Sequence, residues 1–182
     1  MKHDEVCFRR FLAGDESAFT EIVAEHRDPV TFFIQRYVHD ICAAEDIAAD
    51  VFMELVVNPD KYRSGTSLRT YLLVLARSRA IDWLRTEKKH RIVPLEDAAE
   101  QMADTASLEE TFMRNERSRI LHEAMDQLPQ EQQAVLHLVY FEQQTYAETA
   151  KILKITKKRV DHLLSRAKAS LRNIIGEDGV PN

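Results

Sequence analysis

Apolar residues recur at helical spacing along most of this chain, most clearly between residues 128 and 172. That stretch opens on Leu128-Pro129, and proline suits the first turn of a helix because the amide it lacks would have no partner there. The apolar stripe that follows predicts a helix from about Pro129. Its buried side is expected to hold Ala134, Val135, Leu138 and Phe141, with Gln130, Glu131 and Gln133 largely outside it.

After a polar break, the pattern predicts a short helix and then a turn. Thr145 can cap a helix from Tyr146 to Leu153, in which Ala150 is small enough to let another helix pack closely. The turn comprises residues 154–156, where Ile155 reaches into the core and Thr156 caps the next helix. Helix, turn and helix in this order predict a helix-turn-helix unit.

The last helix separates into a buried side and a basic outer side. Its apolar residues fall at spacings of four, three and four: Val160, Leu164, Ala167 and Leu171. By elimination, the outer side carries Lys157, Lys158, Arg159, His162, Ser165, Arg166 and Lys168. Between residues 151 and 172 there are eight cations and one acid, although the whole chain has a net charge of −5. A solvated amphipathic helix is the alternative, but the preceding turn favours phosphate binding, because counterion release drives sequence-independent affinity for DNA.

The N-terminal half predicts three more long or medium helices. A short helix from Val6 to Leu12 ends at Ala13-Gly14, and Asp15 then caps a longer one in which Pro29 marks a bend. The next helix, Ala43 to Val57, turns Ile47, Val51, Leu55 and Phe52 inward. Its outer side is an acidic ridge of four carboxylates: Glu45, Asp46, Asp50 and Glu54. The alternative is an ordinary solvated helix face without a partner.

A third long helix is expected from Ser67, as its cap, to about His90. Its buried stripe comprises Leu68, Leu72, Leu75, Ala76, Ala80 and Leu84. Cations on this helix are interleaved with Tyr71 and Trp83, a mixture that suits a nucleic-acid strand being separated, because cations hold phosphates while rings stack on bases. The alternative for Trp83 is an ordinary place in the core.

Composition supports an all-α fold of two small helical domains joined by an acidic linker. The 182 residues include only four glycines and five prolines, and 45% are hydrophobic. Residues 96–110 contain six acids and no lysine or arginine, as a linker would. No apolar run is long enough to cross a bilayer, so we expect a cytoplasmic protein without membrane insertion.

Catalytic, metal and cofactor sites are not predicted. Cys7 and Cys42 are too few for a disulfide framework, and buried reduced thiols are expected. His39 and Cys42 form an H-x-x-C spacing, but no second pair completes a tetrahedral zinc site. Glycine-rich phosphate loops and nucleophile elbows are also missing from the sequence.

The C-terminal stretch carries a motif series that matches a known family. Its residues are Leu128-Pro129, Tyr140-Phe141-Glu142, Tyr146-Ala147-Glu148, Ala150, Leu153, Ile155, Val160 and Leu164-Ser165-Arg166-Ala167. The series resembles the promoter −35-binding domain of bacterial sigma factors, particularly the small extracytoplasmic-function class. That family often has glycine where Lys154 lies and threonine or serine where Arg159 lies.

The N-terminal half is similar to the same family. Ala44-Glu45-Asp46 with Asp50-Val51-Phe52 resembles the segment that docks on the clamp helices of RNA polymerase. Tyr62-Arg63, residues 67–72 and residues 80–85 resemble the helix that binds the −10 element. The resemblance therefore implies a core-polymerase and −10 domain over residues 1–92, a linker over 93–110, a −35 domain over 111–176 and a disordered tail over 177–182.

The resemblance also implies a role for each surface, with core RNA polymerase, promoter DNA and an anti-sigma factor as partners and no catalytic activity. Binding of the −35 element would use Thr156, Lys157, Lys158, Arg159, His162, Arg166 and Lys168. Binding and melting of the −10 element would use Tyr62, Arg63, Arg69, Tyr71, Arg77, Ser78, Asp82, Trp83, Arg85, Lys88 and Lys89. Polymerase binding would use Glu45, Asp46, Asp50, Phe52 and Glu54.

Two other functions remain open at this point. A stand-alone transcriptional regulator would use the helix-turn-helix for DNA and the first ninety or so residues for sensing or dimerisation. A helical adaptor or metal-dependent enzyme would instead depend on His39 and Cys42.

Overall fold

A computed structural model gives the fold and describes residues 3–62, 65–90, 121 and 123–176. The chain divides into two compact units, Met1–Asp97 and Ala98–Asn182. The described residues form helices and turns without a strand, so the predicted all-α class is confirmed. The predicted linker, 93–110, and the predicted tail, 177–182, lie outside the described residues, and the predicted domain boundaries stay a prediction. None of the described helices combines the length and apolarity that a membrane span requires.

The first unit is built around one long helix. Its elements are α1 (His3–Leu12), α2 (Glu16–Val38), α3 (Ile41–Val57), a 3₁₀ turn (Pro59–Lys61) and α4 (Leu68–His90). Helix α2 packs against α1, α3 and α4, and α3 also packs against α4. The fully buried side chains between them include Phe33, Ile34, Leu55, Leu68, Leu72 and Leu73. This apolar core holds α3 and α4 side by side.

Side-chain caps begin α2 and α4 where the sequence predicts, whereas α3 begins at Ile41, two residues before the predicted Ala43, with Asp40 as its cap. The Asp15 carboxylate accepts a hydrogen bond from the Ser17 amide at 3.0 Å, and the Ser67 hydroxyl accepts one from the Thr70 amide at 3.2 Å. Gly14 has a φ of +93°, which suits glycine and allows the tight reversal between α1 and α2. Helix α2 continues through Pro29 without ending there.

The second unit contains the predicted helix-turn-helix. Residues 123–126 are helical and are followed by α5 (Gln130–Leu136), a π-helical turn (His137–Phe141), α6 (Tyr146–Leu153) and α7 (Lys157–Ile175). Helix α7 packs against both α5 and α6. The predicted start at Pro129 and the predicted α6 boundaries are confirmed.

Two expected positions on the first helix of this unit are wrong. Phe141 is 43% exposed, because the π-helical turn, closed by the Glu142 amide on the His137 carbonyl at 3.0 Å, rotates it off the apolar stripe. Gln133 is buried instead of outside, since its amide donates to the carbonyl oxygens of Leu128 at 2.8 Å and Asp126 at 3.2 Å. It thereby satisfies carbonyls at the end of the preceding helical segment.

The backbone geometry of the turn between α6 and α7 fixes the direction of α7. Thr145 and Glu148 form a reciprocal capping box at the start of α6. Lys154 adopts a left-handed conformation with a φ of 54°, which explains why glycine suits this position. The Thr156 hydroxyl then accepts a hydrogen bond from the Arg159 amide at 3.2 Å and begins α7. The predicted buried stripe of α7 is confirmed, whereas Ile155 is only half-buried.

Removing the capping box should loosen the α6 helix. We expect Thr145→Ala to cost about 1 kcal/mol, because the Glu148 amide loses its side-chain acceptor. Hydrogen exchange of the α6 amides should then accelerate about fivefold. Ser165→Ala, on the exposed side of α7, serves as the control and should change stability by less than about 0.5 kcal/mol. Unchanged exchange in Thr145→Ala would show that the cap contributes nothing.

Candidate nucleic-acid interface and acidic ridge

The outer side of α7 presents a continuous basic surface. All seven residues expected there are exposed: Lys157, Lys158, Arg159, His162, Ser165, Arg166 and Lys168. Arg159 lies in the first turn, and its Nη2 atom is 2.8 Å from Oε2 of Glu131. Both side chains are at least half exposed, so this ion pair is weak and leaves the guanidinium available to an anionic ligand.

One exposed aromatic ring lies beside this basic surface, and two more are exposed in the same unit. The Lys168 ammonium lies 5.3 Å from the centroid of the Tyr140 ring, which is a cation–π geometry. This contact joins α7 to the π-helical turn that follows α5. Tyr140, Phe141 and Tyr146 are each at least 40% exposed. The exposure of these rings was not predicted from the sequence. The π-helical turn that contains Tyr140 and Phe141 carries no clear sequence signal.

Three of the four acidic-ridge carboxylates on α3 face solvent: Glu45, Asp46 and Asp50. The expectation that Glu54 faces out with them is wrong. Its side chain is only 15% exposed, with one oxygen 2.6 Å from Lys61 and the other 3.1 Å from Arg79. The hydrogen bond from Lys61 is the main cause that lowers the pKa of Glu54. The 3₁₀ turn and α4 bring these cations to the carboxylate, a tertiary effect that helix periodicity does not contain.

The outward stripe of α3 continues as an apolar surface. Asp46, Asp50, Met53 and Val57 follow each other at spacings of four, three and four, which places them on one side of the helix. Met53 is 56% exposed and Val57 is 66% exposed. This apolar half was not predicted from the sequence, although both residues fall outside the buried stripe of Ile47, Val51 and Leu55. Phe52 is buried and can contribute to binding only by anchoring α3.

Two of the aromatic residues assigned to −10 binding lie in an intramolecular cluster. The ring of Tyr62 is 4.8 Å from Phe8 and 5.4 Å from Tyr71, measured between centroids. The Tyr62 hydroxyl donates to the Thr66 carbonyl at 2.9 Å. Burial raises the pKa of both tyrosines. These contacts hold α1 and the loop against the start of α4, so the structure gives both rings a supporting position.

Several cations of α4 also have partners inside the unit. Arg77 is half-buried, and its charge acts on Tyr37 of α2, whose pKa is raised by burial. Arg69 and Ser78 are half-buried, and Arg69 acts electrostatically on Asp4. Arg63 and the side chain of Lys89 lie outside the described residues.

The open part of α4 is its C-terminal half. Asp82 and Arg85 are exposed and form an ion pair at 3.2 Å, and Lys88 is also exposed. Trp83 is half-buried, so part of its ring is accessible to solvent. Tyr71 lies twelve residues earlier, which at about 100° per residue turns it about 120° away from Trp83. The structure therefore does not bring the two aromatic residues onto one face.

The H-x-x-C pair does not form a ligand cluster. His39 adopts a left-handed conformation at the end of α2 and is exposed, as is Cys42. Within the described ranges, groups of ligand-type side chains occur instead between α1 and α2.

Two family models match this chain, one in each unit. The model described as Sigma-70 region 2 matches residues 22–90, and the model described as Sigma-70, region 4 matches residues 118–171. The first covers α3 and α4, and the second covers the helix-turn-helix.

Individual proteins with similar sequences come from several bacteria. The probable RNA polymerase sigma factor RfaY of Xanthomonas campestris pv. campestris is 30% identical over 167 residues, which cover 88% of this chain and 41% of that longer protein. The ECF RNA polymerase sigma factor SigW of Bacillus subtilis is 26% identical, over 87% of this chain and 89% of its own length. The fold is similar to that of the sigma factor RpoE from Bartonella quintana, solved with the anti-sigma factor NepR, with a TM-score of 0.64, 19% identity and coverage of 88% and 98%.

Proposed function

The chain belongs to the sigma-70 family, as an extracytoplasmic-function sigma factor that directs RNA polymerase to promoters, and from this premise we propose which surface performs each step. The observation that carries the proposal is the order of two units, one matching region 2 and one matching region 4. A stand-alone regulator is not favoured, because region 2 occupies the part of the chain where that alternative needs a sensing domain. The protein acts as an initiation factor rather than a catalyst, with residues 1–92 and 111–176 as its two domains.

Recognition of the −35 element is assigned to α7. Its N-terminal turn enters the major groove, where Lys157, Lys158 and Arg159 reach base edges and phosphates. Thr156 caps this turn, and His162 lies one turn further on the same exposed side. Arg166 and Lys168 lie further along the helix, where it leaves the groove, and hold the DNA backbone. The support for this division is the exposure of the whole basic side and the capped, fixed start of the helix.

Recognition and melting of the −10 element are assigned to the C-terminal half of α4. Arg85 and Lys88 hold phosphates there, Asp82 orients Arg85, and Trp83 offers a partly open ring for stacking. Arg63 and Lys89 are assigned to this surface from the resemblance. The other assigned residues support it from the loop and the helix sides: Tyr62, Arg69, Tyr71, Arg77 and Ser78. Among them, Tyr62, Tyr71 and Arg77 act through their packing, because their described contacts lie within the unit.

Core polymerase binding is assigned to the outward stripe of α3. Asp46 and Asp50 supply charge, while Met53 and Val57 supply exposed apolar area that a free surface helix rarely keeps without a partner. Glu45 extends the charged end, and Arg27 of α2 approaches it at 3.4 Å. A docking surface with a charged end and an apolar end also fixes the direction in which a partner helix lies.

An anti-sigma factor is proposed as a further partner. The similar sigma factor RpoE was solved in complex with the anti-sigma factor NepR, and the exposed apolar residues of α3 offer a surface that such a partner would cover. A cytoplasmic location follows from the proposal, because core polymerase and promoter DNA are there.

The function and the −35 assignment can be tested in one experiment. The chain is mixed with core polymerase and a promoter library with a randomised −35 element, and the start sites are sequenced. Arg159→Ala should change which −35 sequences are preferred, at about 1–3 kcal/mol for one position, whereas Lys168→Ala should weaken all sequences alike. Glu131→Ala, which releases Arg159 from its ion pair, should keep the wild-type preference.

No start-site selection by the wild-type chain would reject the proposed function. An unchanged preference in Arg159→Ala would reject only its role in reading bases.

The outward stripe of α3 should determine affinity for core polymerase. The double variant Asp46→Lys and Asp50→Lys should bind core polymerase at least about tenfold more weakly, because both charges contact the partner surface. Fluorescence anisotropy with labelled protein gives the affinity, and circular dichroism checks the helix content. The control reverses two exposed carboxylates elsewhere in the unit, Asp28→Lys and Asp60→Lys, with the same change in net charge. Equal loss in both double variants would mean that only net charge matters.

Melting should depend on Arg85 more than on other exposed cations. Arg85→Ala should reduce permanganate reactivity of −10 thymines while binding to core polymerase is retained, because the Arg85 side chain is 74% exposed and pairs with Asp82, which is also exposed. Arg9→Ala removes an exposed cation from α1 and should leave melting unchanged. Equal permanganate patterns for wild type and Arg85→Ala would remove this residue from the melting surface.

A further inference from the structure

The interface between α1 and α2 holds a group of metal-ligand side chains that none of the proposed surfaces uses. His3 and Cys7 lie one turn apart on α1, and Glu21 and Glu25 lie one turn apart on α2. At a separation of four residues, both members of each pair lie on the same side of their helix. The two pairs face each other: the ligand atoms of His3, Cys7 and Glu21 form one close group, and Glu25 approaches it from the side of His3.

The distances between these atoms match those of a tetrahedral metal site. Nε2 of His3 is 3.5 Å from Sγ of Cys7, which is 3.3 Å from Oε2 of Glu21. Nε2 of His3 is also 3.7 Å from Oε2 of Glu25. Zinc bonds to nitrogen, oxygen and sulfur are about 2.0–2.3 Å long, so the edges of such a tetrahedron are about 3.3–3.8 Å. The ligand atoms of His3, Cys7 and Glu21 all lie within 4.8 Å of one another, so small side-chain shifts would bring them onto one ion.

We propose that this group is a binding site for a divalent cation of the zinc class, with His3, Cys7 and Glu21 as ligands and with Glu25, 3.7 Å from His3, moving in as the fourth when the ion binds. Mixed nitrogen, sulfur and oxygen ligands suit Zn²⁺ and Co²⁺, whereas Mg²⁺ and Ca²⁺ prefer oxygen alone. The site lies outside the α7, α4 and α3 surfaces, so it adds a property that promoter recognition does not require.

Charge and proton balance are consistent with this assignment. Without an ion, the Cys7 thiol donates a hydrogen bond to Oε2 of Glu21 at 3.3 Å. A bound cation takes the place of the thiol proton, which leaves to solvent. One thiolate and two carboxylates on a divalent ion then carry a net charge of about −1. The Arg10 guanidinium, 3.0 Å from Glu21, offsets this charge and orients the carboxylate.

The cluster lies where an ion can enter from solvent and where a bound ion would join α1 to α2. Cys7 is buried, but the His3 and Glu25 side chains are 68% and 50% exposed, so an ion can enter from the outer rim. Bonds to both helices would clamp α1 onto α2. The neighbouring residue Phe8 packs on Tyr62, so the clamp would also restrain the aromatic cluster beside α4. Asp4 and the buried His26, 3.1 Å apart, already align the two helices next to the cluster.

The proposal is tested by titrating the untagged full chain with Co²⁺. One equivalent should produce thiolate-to-cobalt charge-transfer absorption and the intense visible bands of tetrahedral cobalt, and Zn²⁺ should abolish both. Zn²⁺ in excess should raise the midpoint of thermal unfolding of the unit that contains Trp83 by about 5 °C, followed by tryptophan fluorescence. Excess Mg²⁺ should leave both readouts unchanged.

Two matched cysteine variants identify the ligand. Cys7→Ser should lose the charge-transfer band, whereas Cys42→Ser, at the exposed cysteine, should keep it. His3→Gln changes an exposed side chain without endangering the fold and should weaken Co²⁺ binding about tenfold or more. A missing band in the wild-type chain, a band that survives in Cys7→Ser, or unchanged affinity in His3→Gln would each overturn the assignment.

Discussion

The apolar core packs α2, α3 and α4 together, and it is the constraint on which the arrangement of the first unit depends. This packing fixes the position of one polar group, the carboxylate of Glu54. It joins three elements, because it lies on α3 and contacts Lys61 of the 3₁₀ turn and Arg79 of α4. Its lowered pKa means that the stability from these contacts is present above the pKa of an unfolded carboxyl and is lost as the pH falls through the lowered value. With Glu54 engaged inside the unit, the outward side of α3 is left to Asp46, Asp50 and two apolar residues.

The charged residues of α4 divide in a similar way into those that interact with the rest of the unit and those that stay open for binding. In the first half of the helix, Arg77 acts electrostatically on Tyr37 of α2, and Arg79 pairs with Glu54 of α3, so both charges are directed toward the helices that α4 packs on. Beyond the core, Arg85 has an exposed partner and remains open to solvent. A helix that extends past its packing partners can therefore be anchored at one end and offer a nucleic-acid surface at the other. The group between α1 and α2 extends this pattern, since it places bonding side chains where two helices already meet.

In the second unit, the constraint is the start of α7. The capping box at Thr145, the left-handed residue Lys154 and the cap at Thr156 follow within twelve residues and leave little freedom in the direction of α7. The basic side of α7 is consequently presented as one surface, and the ion pair from Arg159 to Glu131 adds a weak link back to α5. The π-helical turn before α6 exposes Phe141 and Tyr140, so a supporting helix also contributes to the outer surface.

The sequence by itself determined what depends on neighbours along one helix. Periodicity and capping residues predicted the helices, the helix-turn-helix and the buried stripe of α7, because a helix repeats its faces every three to four residues. Resemblance to sigma factors predicted the family. Tertiary structure alone decided which polar groups form contacts inside their own unit. Glu54 and Gln133 turn inward, and Tyr62 and Tyr71 join an aromatic cluster. It also brought His3 and Cys7 beside Glu21, fourteen residues further along the chain from Cys7. Such partners are distant in sequence, so no local pattern can reveal them, and only the packing of one helix on another brings their atoms within bonding distance.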